Sequence, residues 1–189
     1  MSTYKKNLEL LTKNNVYSKE MEHDACGVGL IASTEGKKSR EVVEYGIEAL
    51  KAVWHRGAVD ADGKTGDGAG IHLEIPKDFF VEKIEVTGHT HDGSDICVGM
   101  IFLPRNDYAA QESCKTIVES ELTKNDFSIY GWRQVPVNPK VLGEKALQTM
   151  PEIIQVLFKA NNKNLLDKDL ERKIYETRKK IENKAFNLS

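Results

Sequence analysis

No apolar run in the 189 residues approaches the roughly 18 needed to cross a bilayer, so no transmembrane helix is expected. Nor is there a surplus of positive charge. Lys and Arg number 27 against 29 Asp and Glu, a net charge of −2. That balance gives no extended basic face for nucleic acid and no polybasic patch for a membrane surface. Cysteine is sparse. Cys26, Cys97 and Cys114 are widely and irregularly spaced, with no C-x-x-C pair, which argues against a zinc site or a redox pair. Few unpaired cysteines suit a reducing cytoplasm. Residues 1–25 hold Lys5, Lys6, Lys13 and Lys19 but lack the apolar centre of a secretion signal.

What is present centres on Cys26. It follows the polar leader 1–25 and precedes the apolar run Val28, Gly29, Leu30, Ile31, Ala32. The plain reading of a lone cysteine is inert packing. The chemical reading needs cleavage between Ala25 and Cys26. One residue would then carry both a thiol and a free α-amine. An α-amine has a reference pKa of about 7.7–8.0, so near neutral pH a useful fraction can take a proton. A nucleophile served by its own terminal amine is an established catalytic arrangement.

Along the chain, strands and helices alternate, which predicts a layered α/β or α+β fold. The leader, with its short Leu8–Leu11 patch, reads as weakly structured. Residues 27–33 read as a buried strand. Ser39 caps a helix over 40–55 whose apolar face is Val42, Val43, Ile47, Leu50, Val53 and Trp54. The Gly- and Asp-rich stretch 57–70 reads as a tight loop. Residues 70–75 alternate as a half-buried strand stopped by Pro76. Further helices are predicted over 77–85, 107–124, 140–149 and 167–185. Strands are predicted over 96–103, 127–137 and 152–160. The last residues, Ala-Phe-Asn-Leu-Ser, read as the start of another strand, an ending that suggests an incomplete unit.

Three segments carry a family resemblance: Asp24-Ala-Cys-Gly-Val-Gly-Leu-Ile-Ala32, Ala52-Val-Trp-His-Arg-Gly-Ala58 and Thr65-Gly-Asp-Gly-Ala-Gly-Ile71. Val98–Pro104, Gly131–Pro136, Leu142-Gly143 and Glu171–Lys179 follow in the same order. Together they resemble the N-terminal, class II amidotransferase region of glutamate synthases, over essentially all of residues 20–189. The resemblance implies an α+β fold, the αββα four-layer sandwich of N-terminal-nucleophile enzymes, of which only the N-terminal part is expected here. It divides the chain into a leader, 1–25, and a partial amidotransferase domain, 26–189. It implies that Cys26 attacks the side-chain amide of L-glutamine and that a thioester forms. Ammonia leaves, and water then releases glutamate.

By the same resemblance, Gly27 and Gly29 keep the backbone close to the Cys26 amine. Arg56 lies near the nucleophile and binds substrate, holds the backbone or polarises the thiol, since a nearby cation favours thiolate. An ordinary loop-pairing arginine is the competing reading. No cofactor is implied for this segment. FMN and an iron–sulfur cluster are implied for the full-length enzyme, with electrons from NADPH or ferredoxin. The implied partners are the remainder of the large subunit and a small NADPH-oxidising subunit. The oxyanion-hole residues and the groups gripping the glutamine carboxylate and amine are implied to follow Ser189, leaving apolar faces open at Val98–Leu103 and Ile153–Phe158.

Other motifs carry less. The Asp67-Gly-Ala-Gly70 stretch lacks the spacing of a phosphate loop. His89, His91, Asp92 and Asp95 form a metal-like set, but in a turn with no rigid element to hold them. Two alternatives to the amidotransferase remain: a non-catalytic binding or assembly module with its leader retained, and a hydrolase of the same nucleophile class with another amide substrate.

Overall fold

The structure, a computed structural model, describes residues 3–13, 27–53, 57, 59–66 and 68–188. Its helices are α1 (Thr3–Lys13), α2 (Arg40–Ala52), α3 (Lys77–Val86), α4 (Tyr108–Lys124), α5 (Glu144–Thr149) and α6 (Asp167–Phe186). Its strands are β1 (Cys97–Leu103), β2 (Phe127–Gln134) and β3 (Glu152–Ala160). The chain falls into two compact units, the first drawn from Met1–Val59 and Gly66–Ile71, the second from Asp60–Thr65 and His72–Ser189.

The second unit is built on a three-stranded antiparallel sheet in the order β1-β3-β2. The central strand β3 is the most buried of the three, with Ile154 to Phe158 all buried. Side chains alternate between faces along a strand. Val156 and Phe158 therefore share one face with Cys97 and Phe127, where Val118 and Leu122 of α4 cover them. Leu170, Ile174 and Ile181 of α6 pack on the same cluster, with buried Thr177 on the same stripe. That spacing is one face of a helix. Leu157 points to the opposite face and meets Phe80 and Ile84 of α3, with Tyr130 and Ile96. Mixed helices with an antiparallel sheet make this an α+β unit.

Local chemistry sets the helix ends. The Ser39 hydroxyl accepts from Val42 N–H at 3.4 Å and starts α2. The Asp107 carboxylate accepts from Ala110 N–H at 2.9 Å and starts α4. Each satisfies a donor that the first turn leaves open. In β2 a bulge falls between Ile129 and Gly131. Gly131 sits at φ 150°, and an added Cβ would lie 2.8 Å from Thr87 Cγ2, so only glycine fits there.

Several expectations are corrected. Residues 27–33 form no strand and are largely exposed, Val28 to 94% and Leu30 to 89%. Residues 70–75 also form none. Ile71, Leu73 and Ile75 are exposed to similar degrees, so the alternating pattern buries neither face. A strand needs a neighbouring strand to pair with, and among the described residues neither segment joins a sheet. Ile71 instead lies against α2, where a Cβ on Gly46 would sit 2.9 Å from its Cδ1.

Residues 3–13, expected to be weakly structured, are helical, as α1. The run Lys-Lys-Asn-Leu-Glu-Leu-Leu has good helix formers and no Gly or Pro. Ala185 and Phe186 belong to the last turn of α6 rather than to a new strand. The predicted helix 140–149 is a single 3₁₀ turn at Pro139–Val141 followed by α5. Met100 and Phe102 are exposed, as expected for an open face, whereas Ile154–Phe158 is not.

Candidate functional site

Cys26 and Arg56 both lie outside the described residues. So do His55 and Asp67. The described flank of Cys26, Gly27–Ser33, has no regular structure and is open. Among the described residues nothing lies within 4 Å of a Cβ built on Gly29; the approach of Gly27 and Gly29 to the Cys26 amine lies outside the described residues. His72 is exposed.

The loop that follows Arg56 is ordered around one carboxylate. Val59 bridges Gly66, and Asp60 N–H donates to the Thr65 carbonyl at 2.7 Å, closing a hairpin. Gly63 takes φ 69° in the turn, a conformation natural to glycine. Asp62 Oδ1 accepts from the N–H of Lys64 at 2.9 Å and of Thr65 at 2.7 Å. Asp62 Oδ2 accepts from the Thr65 hydroxyl at 2.5 Å. These bonds, the Thr65 hydroxyl first, hold the Asp62 carboxyl well below the usual carboxylate range, with a smaller contribution from Glu144 N–H.

The tip Asp60–Thr65 rests on the start of α5. Lys145 Nζ reaches both Asp60 carboxylate oxygens, at 2.8 and 2.7 Å. Ala146 N–H lies 3.5 Å from Thr65 Oγ1. The sequence reading treated 57–70 as turn residues and missed this docking. The only local signal is the Asp-Gly pair with a threonine three residues after Asp62. The partner, α5, is more than eighty positions away.

The metal-like set resolves differently. Asp92 pairs with Lys159 at 2.7 Å and Lys163 at 3.0 Å. Those ammonium groups, Lys159 first, hold its carboxyl far below the usual range. His91 Nε2 lies 2.8 Å from the Ser94 carbonyl oxygen. Among the described residues no group of three or more His, Cys, Asp or Glu converges as a metal site. Cys97 is buried in the core, and burial pushes its thiol up to about 12, so it is not a nucleophile near neutral pH.

One buried carboxylate joins α4 to α6. The Glu121 side chain is 5% exposed and accepts from Lys184 Nζ at 2.5 Å, with Lys124 at 3.5 Å. The Lys184 bond, opposed by burial, lowers its pKa. A carboxylate with a lowered folded pKa stabilises the fold fully above its unfolded value of about 4.3 and loses that contribution as pH falls through the folded value. Glu121→Gln is therefore expected to lower Tm at neutral pH. The gap from the unmodified protein should narrow below about pH 4, as Glu121 itself becomes protonated. Thermal melts across that range check it. A constant gap would assign the loss to packing.

With the fold and the loop geometry in place, comparison with known proteins defines the class. A match to the class-II glutamine amidotransferases spans residues 26–189, and the chain belongs to that family. More particularly, it is 53% identical over 182 residues to the glutamate synthase [NADPH] large chain of Azospirillum brasilense, covering 96% of this chain and 12% of that one. It is 42% identical over 162 residues to the ferredoxin-dependent glutamate synthase 1 of Arabidopsis thaliana, covering 85% and 10%. It is 39% identical over 175 residues to the ferredoxin-dependent glutamate synthase of Pyropia yezoensis, covering 92% and 11%. The chain thus spans about a tenth of the length of these relatives. The resemblance read from the motifs is borne out. No helix among the described residues is long and apolar enough to cross a membrane.

Proposed function

We propose that this chain is the N-terminal part of the glutamine-hydrolysing region of a glutamate synthase, with Cys26 as its nucleophile. The observation that carries the reading is the extent of the family match, which begins at Cys26 and runs through residue 189. A leader of 25 residues would then precede the catalytic domain. Its removal frees the amine that serves as base. The thiolate adds to the glutamine side-chain carbonyl, the C–N bond breaks, and ammonia leaves with the proton taken from the thiol. Water then cleaves the thioester to give glutamate and regenerate the thiol. Arg56 is the substrate-binding or thiol-polarising cation in this reading. The α+β unit is part of a four-layer αββα sandwich.

In the whole protein the ammonia is added to 2-oxoglutarate, with FMN and an iron–sulfur cluster carrying electrons from NADPH or ferredoxin. The described residues do not fit those groups. Cys97 is sealed in the core, and no metal-like set of side chains converges. In this reading the cofactor chemistry belongs to the remainder of the large subunit, with a small NADPH-oxidising subunit as a further partner and the cytoplasm as the compartment.

The test uses the full-length protein and an electrophilic glutamine analogue. Cys26 should be the labelled residue, and glutamine should protect it while other amides do not. Labelling elsewhere, or protection by unrelated amides, would contradict the reading.

A further inference from the structure

Within the second unit, the turn before β1 and the segment joining β3 to α6 line a cavity of about 260 Å³. Ser94, Asp95, Asn162, Lys163, Leu165 and Leu170 face it. Pockets for drug-sized molecules start at roughly 300 Å³, so an occupant here is small.

One group in this cavity lacks a partner. The Ser94 hydroxyl oxygen is buried and makes no hydrogen bond among the described residues. Buried hydroxyls are normally paired, and leaving one unpaired costs free energy. Asp92 is near enough for the hydroxyl to help hold its carboxyl low. That carboxylate is already engaged, however. Its Oδ1 accepts from Ser94 N–H at 3.1 Å and from the Tyr130 hydroxyl at 3.3 Å. Its Oδ2 faces Lys159 Nζ at 2.7 Å and Lys163 Nζ at 3.0 Å. A carboxylate offers about four acceptor sites, so little capacity is left for the hydroxyl.

The other lining groups define what could enter. Asp95 has no hydrogen bond or ion pair among the described residues, so its carboxylate is available to a cation. Lys163 carries three N–H donors, and Asp92 is its partner for one of them. Asn162 accepts from Asn164 N–H at 3.0 Å through Oδ1, which leaves its amide N–H groups as donors. Leu165 and Leu170 add an apolar wall. Asp92 and Asp95 would repel a dianion. A divalent cation is equally unsuited. The lysine ammonium would repel it, and among the described residues no three His, Cys, Asp or Glu converge. A small zwitterion with an aliphatic part matches all of these groups.

We infer that this cavity binds a small aliphatic α-amino acid. Its ammonium meets Asp95, its carboxylate meets Lys163, Asn162 and the Ser94 hydroxyl, and its side chain lies against Leu165 and Leu170. None of these residues has a part in the proposed glutamine chemistry, and the inference does not rest on it.

The test uses the full-length protein with L-valine as probe, read by calorimetry and by thermal melts. L-valine should bind and raise Tm, because a ligand held by the folded state alone stabilises that state. Isovalerate lacks the ammonium and isobutylamine lacks the carboxylate. Each should bind at least about tenfold more weakly, the factor that a hydrogen bond to a charged group supplies. Asp95→Asn keeps the side chain's shape and should weaken L-valine by a similar factor while leaving isovalerate unchanged. Ser94→Ala should raise the Tm of the ligand-free protein, since it removes an unpaired buried hydroxyl, and should weaken L-valine binding. Binding should persist after Cys26 is blocked with an electrophilic glutamine analogue.

Absence of L-valine binding would overturn the inference. So would equal binding of L-valine and the two singly charged analogues, or unchanged affinity in Asp95→Asn. Loss of binding on blocking Cys26 would assign the amino acid to the glutamine site and would also overturn it. Failure of the analogue to label Cys26 would count against the amidotransferase reading instead, and the comparison of L-valine with its analogues would still decide this one.

Discussion

Cys26→Ala in the full-length protein should reduce kcat for glutamine hydrolysis by roughly 10⁶-fold, the scale on which loss of a covalent nucleophile is felt. The reasoning is chemical. Without the thiol no thioester forms, and water must attack an unactivated amide. A second variant isolates the base. If cleavage before Cys26 is blocked, the thiol stays but its nitrogen is an amide with no basic lone pair. General-base assistance contributes about 10²–10⁴-fold, so this protein should fall by that factor. The unblocked enzyme's kcat/KM should rise with pH through the α-amine's range, about 7.7–8.0. Steady-state ammonia release measures all three. Near-normal turnover in Cys26→Ala would remove Cys26 from the mechanism.

The second large effect is on stability. Phe127→Ala should cost about 3–5 kcal/mol, read as a lower urea midpoint at unchanged slope. Phe127 is 2% exposed, and its ring meets Phe158 edge-to-face with centroids 5.2 Å apart. Val118 and Leu122 close over it from α4, and Lys173 Nζ sits 5.3 Å from the ring centroid. Truncation leaves a cavity where sheet, α4 and α6 converge, and a packed interior collapses only partly into such a space. A small shift would mean that α6 moves in to fill it.

Much of the second unit was legible because its signals are local. The helix predicted over 107–124, the unbroken apolar run of β1 and the stop at Pro104 each announce themselves within a few residues. The antiparallel order β1-β3-β2 is less so, since it depends on which strands meet rather than on which exist. Residues 27–33 and 70–75 show the limit of pattern reading. Val28 to Ala32 are apolar enough for a strand, and Ile71, Leu73 and Ile75 alternate correctly. Pairing is a property of two segments, and a single sequence pattern carries only one of them.

The candidate site was legible in the opposite way. Cys26 and Arg56 were read from chemistry and resemblance, and both stand outside the described residues. The Asp62–Gly143 docking was hidden, because Asp-Gly in a loop and Gly before a helix each have an ordinary local explanation. Only the folded chain shows their close approach.

The central claim is that Cys26 becomes the first residue of a working amidotransferase. The most direct measurement is the intact mass and N-terminal sequence of the protein isolated from its own cells. The account predicts a mature chain beginning at Cys26, with the leader gone and the α-amine free. A chain that hydrolyses glutamine while still carrying Ala25 bonded to Cys26 would contradict it.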